Sequence, residues 1–191
     1  MVISASSMDP SRVGLDGIMI NAKQVEVLIA QLSVLVVDDN AFMRNIVRSL
    51  LTNIGVKKVF EAPDGIAGLE IIRSEMPDIV ILDWEMPMLN GPEFVRIVRS
   101  PGVFPLPDIP IIMLTAHGER WRIVEAVRLG VNEFLCKPVS AKSLHERFMS
   151  ILLKPRASVQ VGAYYGPQPR KSALEQEAGV GDAMTSPIVA V

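Results

Sequence analysis

Short aliphatic runs, each stopped by a polar residue, recur along the middle of this chain and leave few ways to fold it. Val34–Val37 ends at Asp38-Asp39-Asn40, Ile79–Leu82 at Asp83 and Ile111–Leu114 at Thr115, while Val131–Cys136, interrupted by Asn132 and Glu133, ends at Lys137-Pro138. A shorter run, Val59-Phe60, falls between the first two. Unbroken aliphatic runs of this length are what strands buried on both faces look like, as in a parallel sheet. Between them the spacing turns helical. Phe42, Ile46, Val47, Leu50, Leu51 and Ile54 share one face, and Gly55 supplies a stop. Asp64-Gly65 opens a second helix to about Arg73, ahead of Pro77. A third runs from about Pro92 to Arg99, with the proline where a missing N–H does no harm. A fourth spans Glu119 to Leu129 and closes at Gly130, and a last one spans about Ser140 to Leu153. Five strands alternating with five helices over short loops predict an α/β fold, a doubly wound parallel sheet with helices on both faces, across residues 32–154.

The flanks read differently. Residues 1–31 are expected to be an extension: 1–20 carry no usable periodicity, while Ala22 to Leu32 is apolar enough for a short helix or an added strand, packed on the domain or on a second protomer. From Pro155 the composition shifts to Gly, Pro, Ser, Ala and Gln, which predicts a flexible tail over 155–191. Tyr164-Tyr165-Gly166-Pro167 is an aromatic island in it, leaving a disordered tail and a docking arm both open. The net charge of −2, without single-sign runs, lacks the basic stripe of a nucleic-acid binder, and no helix-turn-helix pattern follows residue 154, so no direct DNA binding is expected. With one cysteine, Cys136, no intrachain disulfide forms, and that residue is expected to pack as a small core side chain. The absence of a basic leader and of any apolar run of spanning length predicts a soluble, cytoplasmic protein without a membrane partner.

In a sheet of this kind all strands point their C-terminal ends at one edge, where ligands bind. The residues delivered there are Asp38, Asp39, Asp83, Thr115 and Lys137. Each has a plainer reading alone: Asp38 and Asp39 as helix caps, Lys137 as an ordinary surface lysine. Together they make three carboxylates, one hydroxyl and one ammonium in a single pocket. Three carboxylates repel one another and one lysine cannot offset them. Oxygen-only donors favour a hard divalent ion such as Mg²⁺, which accepts one or two carboxylates and leaves room for phosphate oxygens. That set permits attack by a carboxylate on phosphorus, giving an aspartyl-phosphate. Lys137 and the metal would neutralise the transferring oxygens and Thr115 would hydrogen-bond one of them.

Val34-Leu-Val-Val-Asp38-Asp39-Asn40, Asp83-Trp-Glu-Met-Pro87 with Gly91, Thr115-Ala116 and Lys137-Pro138 together resemble the receiver domain of bacterial response regulators, over residues 32–154. The resemblance implies a flavodoxin-like strand order 2-1-3-4-5. It implies Asp83 as phosphoacceptor, Asp38, Asp39 and Asp83 as Mg²⁺ ligands with the Glu85 backbone carbonyl, and Lys137, with a cis bond to Pro138, as the contact to the phosphoryl group. It further implies a switch in which Thr115 moves toward the phosphoryl oxygens and Phe134 rotates inward, where many relatives have tyrosine. The surface that changes would be the 119–129 helix, the fifth strand and the last helix. Glu85 and His117 match the positions that tune phosphoryl lifetime. Trp121 and Arg122 lie on the expected signalling face, Trp121 either packing on its own helix or meeting a partner.

The resemblance implies a sensor histidine kinase or histidine phosphotransfer protein upstream, an unknown protein downstream, and possible phosphorylation-dependent homodimerisation. No enzymatic activity is expected beyond the chain's own phosphotransfer and slow autodephosphorylation. A phosphorylation-independent scaffold receiver is the main alternative, although the acceptor, acidic pair and lysine are all present. An aspartyl-nucleophile phosphatase of the haloacid-dehalogenase type would place D-x-D after the first strand, where this chain has Asp-Asp-Asn. A nucleotide or flavin binder would need a phosphate-cradling loop after that strand, and none is present.

Overall fold

A computed structural model describes residues 21–116 and 118–170 in full and the backbone of 13–15 and 18–20. Two short strands, β1 (Val13–Leu15) and β2 (Ile18–Ile20), pair antiparallel ahead of helix α1 (Ala22–Gln31). Three-residue strands are too short for alternation to show in a sequence, which is why this stretch offered no periodicity. Of the two forms open to the segment after Asn21, the helix is the one adopted. Asn21 and Gln24 close a reciprocal capping box at 2.9 Å in each direction. The helix buries Ile29 against the domain.

The sheet then builds by strict alternation: β3 (Ser33–Val37), α2 (Ala41–Asn53), β4 (Lys58–Ala62), α3 (Gly65–Glu75), β5 (Ile79–Asp83), α4 (Gly91–Val98), β6 (Ile111–Thr115), α5 (Arg120–Arg128), β7 (Glu133–Cys136) and α6 (Ala141–Leu153). All pairings in it are parallel, in the order β4-β3-β5-β6-β7, which is 2-1-3-4-5 when its strands are counted alone. Side chains alternate between faces along each strand, and both faces are covered. Leu35, Val37, Val80, Leu82, Ile111 and Met113 point to one side, where Ile72 of α3 and Phe94, Val95 and Val98 of α4 meet them. Val34, Val36, Ile79, Ile81, Ile112 and Leu114 point to the other, against Val47 and Leu51 of α2 and Leu144 and Phe148 of α6. Asp64 caps α3, Asn90 with Glu93 caps α4, and Ser140 with Ser143 caps α6. Among the described residues no helix is long and apolar enough to cross a membrane.

The segment expected to be flexible from Pro155 is ordered through Arg170, while 171–191 lie outside the described residues. Strands β8 (Ser158–Val161) and β9 (Tyr164–Pro167) pair antiparallel around a two-residue loop that opens on Gly162 at φ +58. The hairpin sits at the N-terminal ends of the strands, the pole opposite Asp83. It is fastened there by polar contacts that composition does not reveal. Tyr165 Oη donates to Asp108 Oδ1 at 2.7 Å, Arg156 donates to the Asn132 carbonyl, and Arg170 reaches Glu133 and, at 2.8 Å, Ser150 Oγ. Beneath it Arg99, 6 % exposed, donates to the carbonyls of Gly130 and Pro107 at 2.9 and 2.6 Å and to Asn132 Oδ1 at 2.9 Å. Burial lowers its pKa to about 10, so it remains a cation at neutral pH. Gly130 has φ +87, and a Cβ there would lie 2.6 Å from the Tyr165 carbonyl oxygen, so the close approach of the hairpin requires glycine.

Candidate phosphoacceptor site

Register decides which residues share the other pole. Asp83 closes β5 level with Leu114 of β6, Thr115 is level with Cys136 of β7, and Lys137 follows directly. Asp38 leaves β3 next to them. Lys137 Nζ lies 2.8 Å from Asp83 Oδ1 and 2.9 Å from Asp38 Oδ2. Asp38, Asp39 and Asp83 each bring a carboxylate oxygen to within 4.8 Å of the others, a group able to hold a metal ion. They line a cleft of about 170 Å³ with Asn40, Met43, Trp84, Glu85, Ala116 and Lys137.

The capping alternative for the acidic pair is answered by the next residue. Asn40 caps α2, its Oδ1 accepting from the N–H groups of Phe42 and Met43 at 2.9 and 3.3 Å. Asp38 is thereby free to face the cleft, steadied by the Asn40 N–H on its Oδ1 at 2.9 Å. Arg44 holds the turn from outside, donating to the Asp38 carbonyl at 2.8 Å. On the opposite wall the loop after β5 folds back on itself, with the Gly91 N–H donating to the Trp84 carbonyl at 2.9 Å. A Cβ on Gly91 would lie 2.6 Å from the Asp83 carbonyl oxygen, so this tight return needs glycine.

Burial pushes the Asp83 carboxyl above its ordinary value, against the pull of Lys137 in the other direction. Burial also works against the Lys137 cation, but its hydrogen bonds and charge pairing with Asp83 and Asp38 outweigh it and raise its pKa. The site thus holds two buried carboxylates on one ammonium, with Asp39 exposed beside them. Excess negative charge on hard oxygen donors fits a divalent ion such as Mg²⁺. Thr115 is buried at the end of β6, its carbonyl accepting the Lys137 N–H at 2.7 Å, and the Lys137-Pro138 bond is cis. Phe134 is half-buried and packs on the α3–α4 side of the core. His117 lies outside the described residues.

Two residues, Cys136 and Arg122, sit otherwise than the sequence reading expected. Cys136 is exposed, because the strand-end pleat turns it away from the core. Trp121 is 55 % exposed, yet its ring meets Trp84 edge-on at 6.3 Å. Arg122, expected on a partner surface, is turned inward with its side chain 12 % exposed, bound to Glu85 at 2.8 Å. Trp84 was not singled out; its place directly after Asp83, on the cleft wall, was the available signal.

The response regulator receiver domain family matches residues 34–149. The chain belongs to that family, and so to the response regulators of two-component signalling. It is similar to the chemotaxis protein CheY-3 of Vibrio cholerae, 34 % identical over 125 residues that cover 65 % of this chain and 95 % of that protein. Similarity to the chemotaxis protein CheY of Pseudomonas aeruginosa is 36 % over 120 residues, covering 63 % and 95 %. Among solved structures, the chemotaxis protein CheY4 of Vibrio cholerae at low pH aligns with a TM-score of 0.57 at 30 % identity, over 63 % of this chain and 98 % of its own. Helix α1 and the β8–β9 hairpin lie outside the matched family span.

Proposed function

We propose that this receiver accepts a phosphoryl group on Asp83 from a sensor histidine kinase or a histidine phosphotransfer protein. The observation that carries the reading is a nucleophilic carboxylate paired to Lys137 at 2.8 Å in a cleft shared with two further carboxylates. An Asp83 carboxylate oxygen attacks phosphorus; the new O–P bond forms as the bond from phosphorus to the donor's nitrogen breaks, and that electron pair leaves with the donor. Lys137 offsets the charge of the transferring oxygens. Asp38, Asp39, Asp83 and the Glu85 carbonyl are the groups that would hold Mg²⁺, which when bound supplies further neutralisation. Thr115 and Phe134 then relay the change to the face of α5, β7 and α6, which controls the binding of a downstream protein or of a second copy. The chain performs no other catalysis than its own phosphotransfer and slow autodephosphorylation.

The test is incubation with acetyl phosphate and Mg²⁺, followed by intact mass, with Asp83→Ala alongside. The expected result is a Mg²⁺-dependent gain of one phosphoryl group that the variant lacks. A folded protein that gains none from acetyl phosphate or from phosphohistidine donors refutes the reading and favours a scaffold receiver.

A further inference from the structure

Along β7, between α5 and α6, lies an open groove of about 440 Å³. Much of its lining is apolar: Ile123 and Val127 of α5 and Phe134 and Leu135 of β7 face it, and Ile123 is 40 % exposed. Arg147 of α6 enters it as well, beside Arg156 and Arg170, which belong to the segment beyond the matched family span. Glu133, buried at the start of β7, is the one carboxylate among the described residues that line the groove. It meets Arg170 and, at 3.5 Å, Arg147. Arg156 turns to two carbonyls, those of Asn132 and Gln168, and Arg147 Nε is buried without a hydrogen-bond partner. Burial, and then the neighbouring Arg170 cation, lower the Arg156 pKa. Three guanidinium groups thus share one carboxylate, an excess of two positive charges. An apolar wall beside uncompensated cations fits a segment that combines apolar with acidic side chains.

The chain carries such a segment, and it begins at the groove. Arg170, on the groove wall, is the last described residue, and 171–191 follow outside the described residues. That stretch holds Ala173, Leu174, Ala178 and Val180, with Glu175, Glu177 and Asp182 against Lys171. Its side-chain charge is −2, three carboxylates less one lysine, which matches the excess in the groove. Reach is no obstacle, since the four residues from Arg170 to Leu174 can span up to about 14 Å. We propose that Ala173–Glu177 occupies this groove in the unphosphorylated chain, with Leu174 on the apolar wall and Glu175 and Glu177 at the arginines. The contact is autoinhibitory: it covers Phe134 and the α5 wall, so a downstream partner binds there only by displacing it. That consequence rests on the reading of α5, β7 and α6 as the response surface, whereas the occupancy does not.

The chain's single cysteine supplies the probe, because Cys136 is exposed and lines the groove. Alkylation of the unphosphorylated full chain by iodoacetamide is followed by intact mass, with Leu174→Asp and the Glu175→Lys/Glu177→Lys pair alongside. These substitutions leave every groove residue in place, and circular dichroism confirms that the fold is unchanged. Occupancy predicts that both variants react about threefold or more faster than wild type, since a thiol must be reached before it reacts. A second readout replaces Leu174 with the photo-crosslinker p-benzoylphenylalanine, which should join α5 or β7 within one chain. Rates equal to wild type in both variants overturn the proposal, as does a crosslink that maps away from the groove. A wild-type rate that falls with rising protein concentration, or crosslinks between chains, assigns the groove to a second copy and overturns it too. Neither readout involves phosphoryl transfer. A chain that never loads therefore refutes the phosphoacceptor reading alone, and an unshielded Cys136 refutes the occupancy alone.

Discussion

Replacing Lys137 with methionine isolates the charge balance on which the site depends. Lys137 Nζ stands 2.8 Å from Asp83 and 2.9 Å from Asp38, whose side chains are 8 % and 1 % exposed. Methionine fills a similar volume and leaves two buried carboxylates without their cation. Breaking a buried pair by deleting one partner typically costs about 3–5 kcal/mol. Asp83 can limit that cost by taking up a proton. For a carboxyl with an ordinary pKa of 3.8, protonation at pH 7 costs about 4 kcal/mol, which caps the penalty at Asp83. A loss of roughly 2–4 kcal/mol is therefore expected in chelator at pH 7, or a fall in Tm of roughly 5–12 °C for a domain of this size. Urea and thermal melts followed by circular dichroism measure it.

The pH dependence carries a definite sign. The Asp83 carboxyl is already raised, and without Lys137 it rises further. A group that binds its proton more tightly when folded contributes stability that is complete below its unfolded pKa and is lost as pH rises through the folded value. The deficit of Lys137→Met should thus be small near pH 4 and greatest at neutral pH. Mg²⁺ should offset more of it than it adds to the wild type, because the ion meets an uncompensated pair. A variant as stable as wild type at pH 7 in chelator, or one with the same Mg²⁺ response, would refute the electrostatic account of this site.

At the opposite pole, Gly130→Ala forces a side chain into φ +87 and to 2.6 Å from the Tyr165 carbonyl, so it should cost roughly 2–3 kcal/mol and loosen the hairpin. Hydrogen exchange at the β8–β9 amides should rise while that of β5 and β6 stays slow; uniform exchange would refute the local effect. Glu133→Gln removes the buried carboxylate that meets Arg170, Ser150 at 2.8 Å and Arg147 at 3.5 Å. Trypsin should then cut after Arg170 several-fold faster by mass spectrometry, and an unchanged rate would show that Arg170 is held by other means.

The parts of the fold legible in sequence were those written in apolar periodicity. Runs such as Val34–Val37 and Ile111–Leu114 are buried on both faces, and each ends where the polar residue begins, so strands and cleft residues were read in one step. The hairpin was missed for the opposite reason. Its strands bury little, and Arg156, Tyr165 and Arg170 hold it through polar contacts that look like ordinary tail residues in a sequence. Val161-Gly162-Ala163-Tyr164 did carry a signal, a glycine opening a two-residue loop between strand-forming residues. The proline-rich Ser100–Pro110 loop buries Phe104 and Ile109, two isolated apolar residues that form no periodic pattern. Arg122 could not be read at all, since nothing local tells an inward arginine from an outward one.

These contacts also constrain how the site can speak to its surface. Strand β7 is pinned at both ends, by Lys137 on the two aspartates above and by Glu133 on α6 and the hairpin below. With only Phe134, Leu135 and Cys136 between those pins, the strand has little freedom to slide. A change at Asp83 is therefore better transmitted through side-chain rotation of Phe134 and through α5. That helix begins without a side-chain cap at Glu119, and its first turn is joined to the cleft by Arg122 and Glu85. A helix end that lacks a side-chain cap and meets the cleft through an ion pair whose carboxylate is exposed has a low cost of displacement compared with the pinned strand. The response surface should accordingly move at the start of α5 first and at β7 least, an order that residue-resolved hydrogen exchange before and after phosphorylation would reveal.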